Sequence, residues 1–211
     1  MTLNLTTGDW IFEPKSKIIT DNRLRITTEP NTDFWQRSYY GFQNNNAPAY
    51  QFKSSDNFTF TVKATFEYQN LFDQCGVIIY LDQDNWFKAS IEYENDDYSR
   101  LGSVVTNLGH SDWATTDIKL PKEIWYRLSR RGPDFLIESA FDGIEFRQMR
   151  IFHMHALGPT SSEMGRANPP LPTDTPMKFG VYACSPTKSS FTAEFSDFSI
   201  KDCIWKAHGT L

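Results

Sequence analysis

Two glutamates two residues apart, Glu92 and Glu94, are the first feature of this sequence that could do chemistry. Glycoside cleavage needs two carboxyl groups about 5–5.5 Å or 6.5–9.5 Å apart across the scissile bond. Residues i and i+2 of a strand share one face, and a rise of ~3.3 Å per residue puts their Cα atoms about 6.5–7 Å apart. The same alternation splits the residues around them. Phe87, Ala89, Ile91 and Tyr93 form an apolar face, while Trp86, Lys88, Ser90, Glu92 and Glu94 form a wet one. Near Trp125 the pattern recurs, with Trp125, Arg127 and Ser129 opposing Tyr126 and Leu128. Rings set among carboxylates, amides and guanidinium groups suit a saccharide, because indoles stack on pyranose faces and the polar groups meet hydroxyls. A solvated sheet face laced by cross-strand ion pairs is the plainer account.

Other candidates carry less. His153 and His155 would share one side of a strand and could ligate zinc, but no third ligand follows at a recognisable spacing. They read better as edge-strand histidines, and His110 and His208 stand alone. Asp82, Asp84 and Asn85 could offer oxygens to calcium, although an Asp/Asn turn bonding its own backbone explains them more simply. Neither calcium nor any other cofactor is expected. No nucleophile elbow, phosphate loop or dinucleotide fingerprint occurs.

The elements that must position these groups are strands. With 17 Phe, 9 Tyr and 6 Trp, the chain is rich in rings that favour pleated, half-buried surfaces. Ten short runs alternate between turn signals, at 24–28, 58–66, 77–81, 86–93, 103–106, 125–129, 135–141, 146–152, 178–183 and 191–200. No helical period is sustained, so the spacing predicts an all-β sandwich or barrel. Asp142-Gly143 marks the clearest predicted hairpin. The 211 residues show no repeat and no linker between two cores, so one domain over 1–211 is expected. Its exception is a loop at about 156–177 with five prolines, which is either a mobile excursion or a wall beside a site.

A net charge of −5 without basic runs repels phosphate backbones, which excludes nucleic acid as the expected partner. The three cysteines, Cys75, Cys184 and Cys203, close no disulfide framework, and Cys75 reads as core. The N-terminus lacks a signal segment and the chain lacks a membrane span, so a cytoplasmic protein is expected.

Several segments together resemble the concanavalin A-like lectin/glucanase superfamily, in its regulation-of-enolase-like branch. They include residues 34–37, 46–48, 73–76, 82–92, 104–106 with 111–113, 125–127, 142–143, 180–186 and 195–198, in the right order across nearly the whole chain. The resemblance implies a jelly-roll of two antiparallel sheets with a ligand groove on a concave side. Two departures stand out: Cys75 occupies a position where a small Ala is usual, and the 156–177 loop is long. The Glu-x-Asp-x-Glu pattern of laminarinase-like glucanases is also missing, because Tyr93, Asn95 and Asp97 interrupt it.

On that frame, Trp35, Arg37, Gln74, Trp86, Lys88, Glu92, Asp112, Trp113 and Arg127 are expected to converge on the groove, with Ser111, Asp112 and Trp113 placed in a binding loop. Trp86 and Trp113 would stack on a sugar, Glu92 and Asp112 would accept from hydroxyls, and Arg127 and Lys88 would hold the carboxylates. The expectation is a protein that binds a small saccharide or polar metabolite. Two others compete with it: a glycoside hydrolase or lyase using Glu92 with Asp112 or Glu94, and a regulatory module with a protein partner.

Overall fold

The computed structural model describes residues 2–207, so His208 lies outside the described residues. The strands in chain order begin with β1 (Asp9–Ile11), β2 (Ser16–Ile19), β3 (Leu24–Thr27), β4 (Phe34–Gln36), β5 (Gln43–Asn45), β6 (Ala49–Ser54), β7 (Phe58–Phe66) and β8 (Gln74–Asp82). They continue with β9 (Asn85–Tyr93), β10 (Ser99–Asn107), β11 (His110–Ile118), β12 (Glu123–Arg131), β13 (Asp134–Ala140), β14 (Arg147–His153), β15 (Met177–Cys184) and β16 (Thr192–Asp202). Two seven-stranded antiparallel sheets form a sandwich. One runs β1-β6-β15-β8-β9-β10-β11, the other β14-β13-β12-β7-β16-β3-β2, and β4 and β5 pair as a separate hairpin.

Each of the ten predicted runs coincides with a strand, because each must bury one face between the sheets, while β1, β2, β4, β5, β6 and β11 lie outside those runs. In β9 the inward side is Phe87, Ala89 and Ile91, all 0% exposed, and β7 meets them from the opposite sheet with Phe60, Val62 and Ala64. Cys75 is buried in this core, and burial pushes its thiol up to about 12.

The outer face of β9 is less wet than its sequence suggests. A second apolar cluster of Phe34, Ala47, Ala49, Ile78, Trp86, Val104, Tyr182 and Cys184 lies outside the first sheet. The β4–β5 hairpin supplies Phe34 and closes over it. Arg37 pins that hairpin in place, donating to Asp84 Oδ1 at 2.7 Å and to the Gly109 carbonyl at 2.9 Å.

Three local expectations change. Residues 110–118, read partly as a binding loop, form edge strand β11. Its hairpin with β10 turns on Leu108 and Gly109, at φ 52° and 76°, the left-handed pair that a tight two-residue turn demands. The Asp142-Gly143 segment is instead a six-residue connection, in which Asp142 accepts from the Ile144 and Glu145 N–H groups at 2.8 and 2.9 Å. Finally, the proline-rich loop is held by buried arginines. Arg131 donates to the Met164 and Ala167 carbonyls, and Arg130 donates to that of Thr175 at 2.8 Å. Among the described residues no helix is long and apolar enough to cross a membrane.

Candidate functional site

Register builds the site from four neighbouring strands. Gln74 of β8, Glu92 of β9 and Arg100 of β10 stand side by side in one row on the outer face of the first sheet. Lys88, Val104 and Trp113 form a second row four residues away along the strands. Between the rows lie Ser90, with a small side chain, and Gly102, with none, which leaves the floor low. The result is a hollow of about 710 Å³, walled by Trp35, Tyr40 and Phe42 from the hairpin, by Phe72, and by Trp113. A second hollow of about 540 Å³, between β10–β11 and β13–β14, contains none of the candidate site residues.

Trp35, Gln74, Lys88, Glu92, Glu94 and Trp113 all line the larger hollow. Four other expected members do not. Trp86 is 0% exposed in the second apolar cluster, with Nε1 donating to the Gln83 carbonyl at 3.2 Å, so no sugar can stack on it. Arg37 is committed to the hairpin anchor. Arg127 lies on the opposite sheet, in a two-bond pair with Glu138 at 2.7 Å. Asp112 precedes Trp113 in a strand and therefore points to the other face, where it meets Arg150 at 3.2 Å. It cannot act with Glu92 on one substrate.

The site also holds residues the sequence did not single out. Asp33 pairs with Lys88 at 2.9 Å, Arg100 pairs with Glu94 at 3.2 Å, and Tyr40, Phe42 and Phe72 supply rings. Arg100 could have been found, since antiparallel pairing of β9 and β10 puts it directly opposite Glu92. Asp33 carried no such signal, because it reaches the floor from the segment leading into β4, outside the first sheet.

Hydrogen bonds orient the floor. The Gln74 side-chain oxygen accepts from the Tyr182 hydroxyl at 2.9 Å and the Ser90 hydroxyl at 3.4 Å, which leaves its amide nitrogen to donate to Glu92 Oε2 at 2.7 Å. Burial pushes the Glu92 carboxyl up from 4.5 to about 7, against the opposing pull of Lys88. Burial also pulls the Lys88 ammonium down, but Asp33, Cys184 and Glu92 together outweigh it and the group ends above its usual value. Elsewhere, the Asp82 carboxylate accepts from the Asp84 N–H at 2.8 Å and from the Asn85 amide at 3.0 Å, while Asp84 bonds Arg37. His153 is taken up by Asp134 at 2.8 Å, and His155 lies beyond the end of β14.

The raised Glu92 value has a consequence for stability. Between pH 4.5 and about 7 the folded protein keeps a proton that the unfolded chain has released. The stabilising contribution is complete below pH 4.5 and is lost as pH rises to about 7. Glu92→Gln, which cannot ionise, should therefore be more stable than wild type at pH 8 by about 2–3 kcal/mol and indistinguishable from it at pH 4. Denaturant unfolding at the two pH values measures this, and an equal midpoint at pH 8 would contradict it.

Comparison with known proteins agrees with the geometry at the level of fold. A solved structure of a functionally unknown protein from Saccharomyces cerevisiae superposes with a TM-score of 0.81 at 26% identity, covering 96% of this chain and 100% of that one. A GH43 protein from Bacillus licheniformis superposes at 0.68 and 15% identity, over 96% of this chain and 38% of its own. In sequence, the chain is 28% identical over 204 residues to "Regulation of enolase protein 1" of Saccharomyces cerevisiae, covering 96% of this chain and 93% of that one. These matches agree with the expected sandwich fold, and the sequence match is to a protein bearing the name of the expected regulation-of-enolase-like branch. Residues 10–203 match a single family model, and the chain belongs to that family, described as "Protein of unknown function (DUF1349)".

Proposed function

We propose that this protein binds a saccharide in the hollow over β8, β9 and β10. One observation carries the reading: five aromatic side chains, Trp35, Tyr40, Phe42, Phe72 and Trp113, surround a floor of hydrogen-bonding groups in one open hollow. Sugars offer that combination of apolar ring faces and hydroxyl edges, whereas a protein partner would favour a flatter apolar patch. Trp35 and Trp113 meet edge to face at 6.4 Å and 87°, which holds both indoles at set angles without another ligand. Trp113→Ala should weaken binding to the best hit of a glycan array at least tenfold, about 1.4 kcal/mol, with the melting temperature nearly unchanged. Undiminished binding by this variant would sink the reading.

A second reading, turnover of a glycoside, is favoured by the contrast between Glu92 and Glu94. Glu92 keeps its proton near neutrality, while Glu94 is ion-paired with Arg100. Unequal carboxyls of this kind divide acid from base in glycosidases. In that case Glu92 is the acid, and Glu92→Gln should abolish hydrolysis of a glycoside with a poor leaving group; no hydrolysis by wild type leaves binding alone.

A further inference from the structure

We propose that the saccharide taken by this hollow carries a basic amino group, and that Glu92 is the residue that selects it; the inference rests on the saccharide reading above. It follows from the pairing of charges on the floor. Five acidic or basic side chains line the hollow: Asp33, Lys88, Glu92, Glu94 and Arg100. Lys88 is matched by Asp33 at 2.9 Å and Arg100 by Glu94 at 3.2 Å. Glu92 is left over. Its one hydrogen bond within the floor comes from the neutral amide of Gln74 at 2.7 Å, and among the described residues no lysine, arginine or histidine nitrogen lies within 4.0 Å of it.

Both cations are therefore already neutralised, so a uronic acid or a phosphosugar would bring its charge to a floor with no cation to spare. An ammonium meets the opposite situation. It completes the third ion pair, and it enters a space lined by five aromatic side chains. The half-buried position of Glu92 keeps that pair from being screened as a surface pair would be. A neutral hydroxyl can hydrogen-bond Glu92 in either protonation state, whereas only an ammonium draws it into the ionised form and gains an ion pair. An N-acetylated amine loses the charge and should behave like the neutral sugar. Tyr39 adds a free ring beside this wall, 95% exposed and in edge contact with Tyr40 at 4.8 Å, which gives a second sugar unit something to lie on.

The test is calorimetric titration at pH 7 with three tetrasaccharides of one length: a β-1,4 tetramer of glucosamine, its N-acetylated form and the glucose tetramer. Wild type should bind the amino tetramer at least tenfold more tightly than the other two. Glu92→Gln should bring the three within about twofold. Arg100→Gln, which frees the Glu94 charge, should widen the preference, and it carries the test if Glu92→Gln fails to fold. Equal affinities in wild type, a preference that survives in Glu92→Gln, or one unmoved in Arg100→Gln would each overturn the inference. If the neutral and amino tetramers bind alike, saccharide binding stands and only the selection by Glu92 falls. If none of the three binds, and a glycan array is also blank, both fall together.

Discussion

Trp86→Ala is expected to lower stability by about 3–5 kcal/mol, because it removes the largest side chain of the second apolar cluster and leaves a cavity the neighbours cannot fill. Trp86 is 0% exposed, and its ring lies 5.7 Å from that of Phe34, centroid to centroid. The contact does more than fill space. Phe34 begins β4, so the indole is one of the groups that fastens the β4–β5 hairpin to the first sheet. That hairpin carries Trp35, Tyr40 and Phe42, three of the rings around the hollow. Trp86→Ala should thus weaken ligand binding only as a consequence of loosening the wall, while Trp86→Phe, which keeps most of the apolar contact, should retain both. Equilibrium unfolding in guanidinium chloride measures the first effect. A midpoint within error of wild type for the alanine variant would mean the ring is not part of a core at all.

The error that made Trp86 a stacking platform shows what alternation can and cannot read. It identified β9 and put Phe87, Ala89 and Ile91 inward, since a two-residue period reports which side chains share a face. It could not report that the opposite face is roofed by residues 34–45, because that contact is set by tertiary packing and leaves no mark within β9 itself. Lys88 is 4% exposed for the same reason. Edge strand β11 was missed from the opposite cause. Its outer side chains are exposed and polar, so Ser111 to Ile118 carry no apolar period. Once 110–118 is a strand, Asp112 and Trp113 must point to opposite faces, and the idea of both entering one groove fails on parity alone. Arg127 failed on a third count: alternation gives a face within a sheet but not which of two sheets a strand joins. What did survive comes mostly from one sheet: Gln74 from β8, Lys88 and Glu92 from β9 with Glu94 just past its end, and Trp113 from edge strand β11, while Trp35 comes from the β4–β5 hairpin.

Lys88→Met should cost about 3–5 kcal/mol, the usual range for removing one partner of a buried ion pair. The Lys88 side chain is 6% exposed and that of Asp33 18%, and the ammonium stands 6.0 Å from the Trp86 ring centroid and 5.8 Å from that of Tyr182. Burial limits how far water can replace the lost partner there. Asp33 would keep the Phe34 N–H at 2.7 Å, and its remaining charge would have no cation beside it. The penalty should therefore belong to the orphaned charge and not to the loss of lysine as such. A double-mutant cycle separates the two. Asp33→Asn in the Lys88→Met background should recover most of the stability, because neither member is then charged, whereas Asp33→Asn alone strands a buried ammonium and should be nearly as damaging. Additive costs in the cycle would show that the two groups do not act as a pair. The result bears on the site as well as the fold. If Lys88 is fully engaged by Asp33, it is not available to an incoming anion, and Glu92 remains the one floor carboxylate whose charge a ligand can answer.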